Sequence, residues 1–457
     1  MAVRKRSLDR SIVEGPVGRA VWRLAWPTML QNVIGGLQGI VDHAMVGHTV
    51  GFTGNAAVGV AGQIFIVVIV FIASIFTGMG ILVARFAGAD EPDKVDRAVY
   101  QAFLVALALA VGVMAPLGYF LSPVLLDLVN AEPSVQAEAL PYLRIMFLFS
   151  FGMMMFFMLS GALRSAGDAK TPLRLGIALT VLNLALNLVF IPVWGTAGAA
   201  IGTVLAGSAV GLYSLYRLIS GKWVVHFTRG MGLRPDWKII RELFRFGLPT
   251  GFQGIAMNVG GVLLLGFIGS LANSAEAQAA YSVAYAQLFS LITWTSVGLM
   301  GAAATVAGQN LGVDRPERSV RAVRTAAIMG LGVATMAGAL FVLLPDHLLS
   351  LFNMEDETVV AIGRELLAFL CVSGFFVTLA LTYTGGLQGT GDTRGPLYIS
   401  LISQVAVPLL ICSVASGTLG LEARHVWFAI VVGHMVRGLL SMLRFDRGRW
   451  RDIEIRV

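Results

Sequence analysis

Polar residues recur along one face of the first long apolar segment. Gln31, Gly35, Gln38 and Asp42 follow i, i+4, i+7 and i+11 spacing, which places them on one side of an α-helix. An isolated carboxylate is costly to bury in an apolar helix, so it usually faces a cavity and serves an ion, a proton or a substrate. The spacing therefore indicates a cavity beside this helix. The alternative is that Asp42 is a solvated cap near the outer membrane interface.

Two asparagines four residues apart form a second polar pair. Asn183 and Asn187 share one face of a predicted helix, and Thr203 lies in the apolar run that follows. Their oxygens are of the kind that a hard cation takes as ligands. The same residues could equally form hydrogen bonds that hold two membrane helices together.

An aromatic stripe occurs in the second half of the chain. Gln278, Tyr281, Tyr285 and Phe289 occupy one helical face and could form the wall of a cavity, although such a stripe is also typical of ordinary helix packing.

Further on, His434 and Arg437 lie within the last apolar run. We expect Arg437 to extend its guanidinium towards the nearby cytoplasmic interface.

No catalytic motif accompanies these residues. The sequence contains no His-Glu-x-x-His, no Walker A loop and no Gly-x-Ser-x-Gly. Cys371 and Cys412 lie inside apolar runs, so neither a disulfide framework nor a metal pair is indicated. We therefore expect a protein that is not an enzyme, needs no cofactor and does not drive transport directly with ATP.

The composition is that of an integral membrane protein. Of the 457 residues, 56% are hydrophobic and only 13% are charged, and the mean hydropathy is +0.78. Long apolar runs joined by short connections favour a helical bundle over a barrel. The twelve runs are approximately 20–46, 56–84, 98–121, 139–163, 173–193, 196–219, 243–271, 277–308, 322–345, 359–387, 396–416 and 424–444.

Basic residues predict the orientation. All but three of the 33 lysines and arginines fall at the termini or in alternate connections, and the exceptions are Arg144, Arg364 and Arg424. Basic segments stay in the cytoplasm, so both termini are expected there, with the protein in the cytoplasmic membrane. The net charge of +7 follows from this topology and does not indicate a nucleic-acid partner.

The two halves of the chain repeat each other. The segment around Gly167-Asp168 recurs around Gly391-Asp392 at an offset of 224 positions, and that around Pro27 recurs around Pro249. Such a repeat predicts two homologous lobes with a site between them. We expect an N-terminal lobe over 1–220, a cytoplasmic linker over 221–244 and a C-terminal lobe over 245–457. Pro27 is expected to be a hinge because proline removes one helical hydrogen bond.

Several segments give the chain a resemblance to the multidrug and toxic compound extrusion (MATE) transporters over nearly its whole length. They are Glu14-Gly15-Pro16, the segment from Val41 to Gly47, the repeated loops 163–168 and 387–392, the segment 198–203 and the closing segment 444–450. Their joint order and the twelve-run repeat make the resemblance strong.

The resemblance implies an all-α membrane protein with twelve transmembrane helices in two six-helix lobes. It implies export of amphipathic, often cationic, organic compounds in exchange for protons or sodium, by alternating access.

Asp42 matches the acid of the family's first helix, and Asn183, Asn187 and Thr203 match a cation site of one branch. That branch often has aspartate where Asn187 stands here. Met257 lies where another branch has a glutamate, so coupling is expected to reside in the N-terminal half. Gln31, Gln38, Gln278, Tyr281 and Tyr285 are the candidate cavity residues.

Two other functions remain open from the sequence. A related two-lobe flippase of lipids or lipid-linked precursors would need a basic cavity for phosphate, whereas the polar face of the first helix carries an acid. An intramembrane enzyme such as a prenyltransferase would need paired acidic motifs at helix ends, and only the run from Asp90 to Asp96 approaches this. For an exporter the expected partners are small organic substrates and membrane lipid, and the chain is expected to act as a monomer.

Overall fold

The computed structural model describes residues 8–227, 234–352, 354, 356–418 and 420–455, which are helical almost throughout and contain no strand. The helices are α1 (Ser11–Glu14), α2 (Val17–Thr49), α3 (Phe52–Ala73), α4 (Ile75–Gly88), α5 (Pro92–Leu109), α6 (Ala115–Leu128), α7 (Pro133–Leu148), α8 (Phe151–Ser165), α9 (Lys170–Ile219), α10 (Trp237–Gly269), α11 (Ser274–Tyr281), α12 (Ser290–Gly312), α13 (Pro316–Leu343), α14 (Pro345–Ser350), α15 (Glu357–Gly389), α16 (Arg394–Ser400), α17 (Val407–Thr418) and α18 (Ala423–Asp446). Three π-helical segments, Ala110–Met114, Ser282–Leu288 and Leu401–Ala406, join α5 to α6, α11 to α12 and α16 to α17, and a 3₁₀ turn covers Arg449–Asp452.

These helices account for the twelve predicted runs. Among the described residues, nine helical stretches are long and apolar enough to cross a membrane, and the pair α7–α8, bent by 54°, makes a tenth. The fifth and sixth runs both lie in α9, which counts once among the nine. The first run lies in α2, whose 33 residues are long enough to span but include the polar face. The seventh run ends slightly earlier than predicted, at Gly269.

A glycine divides α9 into its two halves. Gly195 has φ 56° and ψ −132°, a left-handed conformation that side chains rarely tolerate, and it interrupts the helix between Trp194 and Thr196. Beyond the kink, a Cβ atom at Gly198 would overlap the backbone carbonyl of Phe190. The absence of that Cβ lets the halves 170–194 and 196–219 pack backbone against backbone.

The chain forms two compact units. The first unit is made mainly of Leu30–Gly251, and the second contains Ser11–Met29 and Phe252–Glu454. Both boundaries fall inside helices, two residues after Pro27 in α2 and two residues after Pro249 in α10. The predicted lobe and linker boundaries remain a prediction, and 228–233 of the linker lie outside the described residues.

Each unit has an apolar core of its own. In the first unit the buried side chains include Phe65, Met79 and Phe147, and the rings of Phe65 and Phe147 meet edge to face at 5.5 Å. In the second unit the core is built around Phe289 and Trp427, which are almost fully buried. The packing of each core sets the rotation of its helices, and thereby decides which side chains meet.

The repeated Gly-Asp motif is a helix-to-helix turn in both halves. Gly167 and Gly391 have φ values of 100° and 101°, which explains why glycine recurs there. The following aspartates accept hydrogen bonds at the start of the next helix. Asp168 accepts from the backbone of Lys170 and Thr171 and from the Thr171 hydroxyl, and Asp392 accepts from the backbone of Gly395.

Asp392 has an additional partner and is expected to matter more for stability than Asp168. Its carboxylate accepts from Nε of Arg444 at 2.6 Å and from NH2 at 3.1 Å, and it is buried. Replacing Asp392 by alanine removes these charged hydrogen bonds and is expected to cost about 2 kcal/mol. Thermal unfolding of the detergent-purified protein should show a larger fall in melting temperature for Asp392→Ala than for Asp168→Ala. Equal melting temperatures would contradict this account.

Candidate functional site

The polar face of α2 lies against the first half of α9 within the first unit. Gln38 donates from Nε2 to Oδ1 of Asn183 at 3.0 Å and accepts at Oε1 from the Thr180 hydroxyl at 2.7 Å. Asp42, one turn further on, accepts at Oδ1 from Nδ2 of Asn187 at 2.9 Å. Two turns of α2 are therefore joined to two turns of α9 by side chains alone.

The two asparagines also bond to each other and to the second half of α9. Nδ2 of Asn187 approaches Oδ1 of Asn183 at 3.4 Å, and Nδ2 of Asn183 donates to the Thr203 hydroxyl at 3.1 Å. That hydroxyl donates in turn to the backbone carbonyl of Ala199 at 3.0 Å. Both asparagines are fully buried, whereas Asp42 is half-buried. The structure thus brings together Asp42, Asn183, Asn187 and Thr203.

One polar atom of this network lacks a partner. Oδ1 of Asn187 is buried and accepts no hydrogen bond within the described part of the chain. Asp42 is in no ion pair there either, so its charge has no fixed counter-ion. A buried acceptor beside a carboxylate that has no ion-pair partner fits a proton held on Asp42 or a small cation that takes both oxygens as ligands.

Gln31 and Thr180 extend the site in different ways. Gln31 packs against Gly176 of α9, with its Cγ atom 3.2 Å from where a Cβ of residue 176 would lie. Its Oε1 is buried and has no hydrogen-bond partner among the residues that the structure describes. The sequence reasoning missed Thr180, although it lies three residues before Asn183 and shares its face. That spacing was the signal that could have identified it.

Gly202 allows the close approach that completes the network. A Cβ atom at this position would overlap Oδ1 of Asn187. Gly202→Ala is therefore expected to push Asn187 away from Asp42 and to lower the activity of the site by about tenfold, even though alanine favours helix. The measurement is the flux of a small organic cation through proteoliposomes, which is the activity expected from the family resemblance.

Gly35 supplies the control for this substitution. It lies on the polar face of α2, and a Cβ atom there would meet nothing within 4 Å. Gly35→Ala should therefore keep normal activity. If Gly202→Ala is as active as Gly35→Ala, the contact between Gly202 and Asn187 is unimportant.

The remaining candidates lie in the second unit. The rings of Tyr281 and Tyr285 stack at 4.8 Å, and Tyr281 also stacks on Trp427 of α18 at 6.1 Å. Gln278 is exposed on the same helix. The aromatic stripe thus packs within the second unit, and the structure does not join these three residues to the hydrogen-bond network of Asp42.

The described residues contain no group of three or more histidine, cysteine, aspartate or glutamate side chains that could hold a metal ion. Cys371 and Cys412 are both free thiols. The site consists of one carboxylate, amides and hydroxyls, whose oxygens are suited to bind and release a proton or a small cation.

A many-helix membrane protein whose two halves repeat each other has an architecture that is common among transporters. A family model described as MatE matches residues 27–189 and 249–412, once in each half, and the chain belongs to this family. The double match confirms the internal repeat. Because members of the family are transporters, it also confirms the prediction that this protein is not an enzyme.

Curated relatives and solved structures agree with the family model. The probable multidrug resistance protein NorM of Thermotoga maritima is 28% identical over 435 residues, which cover 94% of this chain and 92% of that protein. The probable NorM of Deinococcus radiodurans is 29% identical over 450 residues, covering 93% and 94%. The solved structure of an outward-facing multidrug resistance MATE family transporter of the MOP superfamily matches 97% of this chain and 98% of its own, with a TM-score of 0.89 and 22% identity. This likeness confirms the predicted fold class.

Proposed function

We propose that this protein exports amphipathic, positively charged organic compounds by alternating access, in exchange for protons. Export of small organic molecules is supported by the relatives, which are described as multidrug resistance proteins. The observation that carries the coupling proposal is the hydrogen bond from Asn187 to Asp42, which holds one half-buried carboxylate among neutral amides and a hydroxyl.

The negative charge of Asp42 attracts either a proton or a cationic substrate. A proton from outside neutralises Asp42, and a cationic substrate is favoured when the carboxylate is ionised. Competition for one charge gives exchange without contact between the two occupants. Asn187 is neutral, so the site has a single charge for a sodium ion, and this favours a proton as the coupling ion.

Gln31 and Gln38 line the cavity on the same helix, and Gln278, Tyr281 and Tyr285 are the proposed cavity residues of the second half.

We also propose where the protein lies in the cell and that it acts as a monomer. We place the protein in the cytoplasmic membrane with both termini in the cytoplasm, because almost all basic residues fall on one side of the spans. Large exposed apolar side chains such as Phe52, Leu128 and Leu343 support contact with lipid. Two repeated halves in one chain supply both proposed lobes, 1–220 and 245–457, so a monomer is sufficient.

Flux in proteoliposomes tests the coupling. Substrate loaded inside should leave faster under an inward proton gradient, and an equal inward sodium gradient at matched pH should have no effect. Protein-free liposomes give the background. Flux that follows sodium alone would contradict proton coupling, and transbilayer movement of a labelled phospholipid without any flux of organic cations would favour the flippase instead.

Pro27 is proposed as a hinge in α2. It is buried inside the helix, and the helix passes from one compact unit to the other two residues later. The Thr28 hydroxyl bonds to the carbonyl of Leu24 at 2.9 Å, so this turn already has altered hydrogen bonding. Pro27→Ala should regain a backbone hydrogen bond and so stiffen the helix. We therefore expect flux to fall by up to about tenfold, and the distances between spin labels on α2 to shift. Normal flux with unchanged distances would rule out the hinge, and Pro249→Ala is the matched substitution in the other half.

A further inference from the structure

A buried arginine lies in the last α-helix of the second unit. Arg437 is 3% exposed, and within the described residues its Nε has no hydrogen-bond partner and its guanidinium forms no ion pair. The sequence led us to expect that Arg437 would reach the cytoplasmic interface, and this is wrong because its side chain is enclosed by the protein. A charge buried in a membrane span without a counter-ion is costly and is typically retained for function.

Polar side chains lie beside the turn of α18 that precedes Arg437. His434 lies one turn earlier on α18, is 4% exposed, and shares a hydrogen bond of 2.5 Å with the hydroxyl of Ser373 on α15. The amide Nε2 of Gln404 lies 3.5 Å from where a Cβ of Gly433 would be, and it is buried with no hydrogen-bond partner in the described part of the chain. The buried positive group of Arg437 on α18 and the unused amide donor of Gln404, which lies in the π-helical segment Leu401–Ala406 beside Gly433, favour a negatively charged ligand.

A continuous stack of aromatic rings leads to this position. Its members are Trp427, Tyr281, Tyr285, Phe289 and His434, with successive ring centroids 6.1, 4.8, 5.5 and 5.9 Å apart. The π-helical segment Ser282–Leu288 sets the spacing of the tyrosines, and such segments frequently occur at functional sites. Tyr285 is close enough to Arg437 to interact with it electrostatically.

We propose that the second unit binds the carboxylate of an aromatic organic acid, with Arg437 as the charge partner and the ring stack as the surface for the aromatic group. The planar guanidinium offers paired N–H donors that match a carboxylate. Tyr281 and Tyr285 are the only partly buried members of the stack, and they offer ring atoms to the aromatic group of the ligand, whereas Trp427 and Phe289 are buried and hold the tyrosines in place. The ring stack favours an aromatic acid over a small inorganic anion, and the burial of Arg437 inside the unit favours it over a lipid phosphate. This site goes beyond the proposed export of cations, because it lets the transporter take acids or compounds that carry both charges.

Equilibrium dialysis of the detergent-purified full-length protein tests the site with three probes of one shape. They are 1-naphthoate, the neutral 1-naphthamide and the cationic 1-naphthylmethylammonium, at pH 7.5. The wild type should bind naphthoate at least tenfold more tightly than naphthamide. Arg437→Gln should remove this preference while leaving naphthamide binding unchanged, and Arg437→Lys should keep part of it. Tyr285→Leu should weaken naphthoate and naphthamide alike.

Arg424 provides a matched control in the same helix. It is exposed and paired with Glu422, so Arg424→Gln makes the same change of charge and should keep the preference for naphthoate. Asp42→Asn should keep it too, which separates this site from the coupling site.

Three outcomes would overturn the proposal. They are equal binding of naphthoate and naphthamide to the wild type, an unchanged preference in folded Arg437→Gln, and displacement of naphthoate by phosphatidylglycerol or phosphate at lower concentrations than by unlabelled naphthoate. If Arg437→Gln fails to fold, the charge preference of the wild type and of Arg437→Lys decides the question.

Discussion

Asp42→Asn will abolish gradient-driven export while leaving the protein folded in the membrane. Asparagine has nearly the shape of aspartate and can still accept the hydrogen bond from Asn187, so the contact between α2 and α9 is kept. It cannot ionise, so neither a proton nor a cationic substrate is exchanged for the other. In cells that express the variant at the normal level, resistance to the transported drugs should fall to that of cells without the protein.

Two further substitutions test whether this loss of resistance is specific to Asp42 and whether Asn187 is also needed. Asp93 is an exposed carboxylate in the first turn of α5, and Asp93→Asn makes the same chemical change outside the network, so it should keep full resistance. Asn187→Ala removes the bond to Asp42 but keeps the carboxylate. Retained flux in that variant would restrict coupling to Asp42 alone. Full resistance in cells that express Asp42→Asn would exclude Asp42 as the coupling residue.

Much of the fold could be predicted from the sequence because a bilayer imposes the length and composition of each helix. Each of the twelve apolar runs falls in one helix or in consecutive helical segments, apart from the last two residues of the seventh run, and the two-residue gap between the fifth and sixth runs contains the kink at Gly195. The three π-helical segments were not predicted. They depend on tertiary packing, since one extra residue per turn leaves no mark on hydropathy.

The candidate site could be predicted in part, because helical spacing fixes which residues share a face. It does not fix which face of the neighbouring helix they meet. Gln38 bonds to Thr180 and Asn183, whereas Asp42 bonds to Asn187, and this register is decided by the rotation of α9 against α2. The same limit explains Arg437. Its position near the end of a run indicated exposure, but the packing of α18 turns it inward.

Asn187→Asp is expected to make transport respond to sodium. The Nδ2 atom of Asn187 is 2.9 Å from Oδ1 of Asp42, so the variant places two carboxylates side by side, and such pairs hold a shared proton or a cation. Together with the oxygens of Asn183 and Thr203 they provide the set of hard ligands that sodium takes. If the second carboxylate stabilises bound sodium by about 1.4 kcal/mol, the variant binds sodium tenfold more tightly than the wild type.

The measurement is export driven by an inward sodium gradient at fixed pH, which should be active in Asn187→Asp proteoliposomes and absent in the wild type. Asn130 is exposed and has a φ of 51°, so Asn130→Asp adds the same charge in the first unit away from the network and should remain insensitive to sodium. A folded Asn187→Asp protein that ignores sodium would show that the missing charge at this position is not what selects the coupling ion. The choice between proton and sodium would then depend on groups outside the four residues Asp42, Asn183, Asn187 and Thr203.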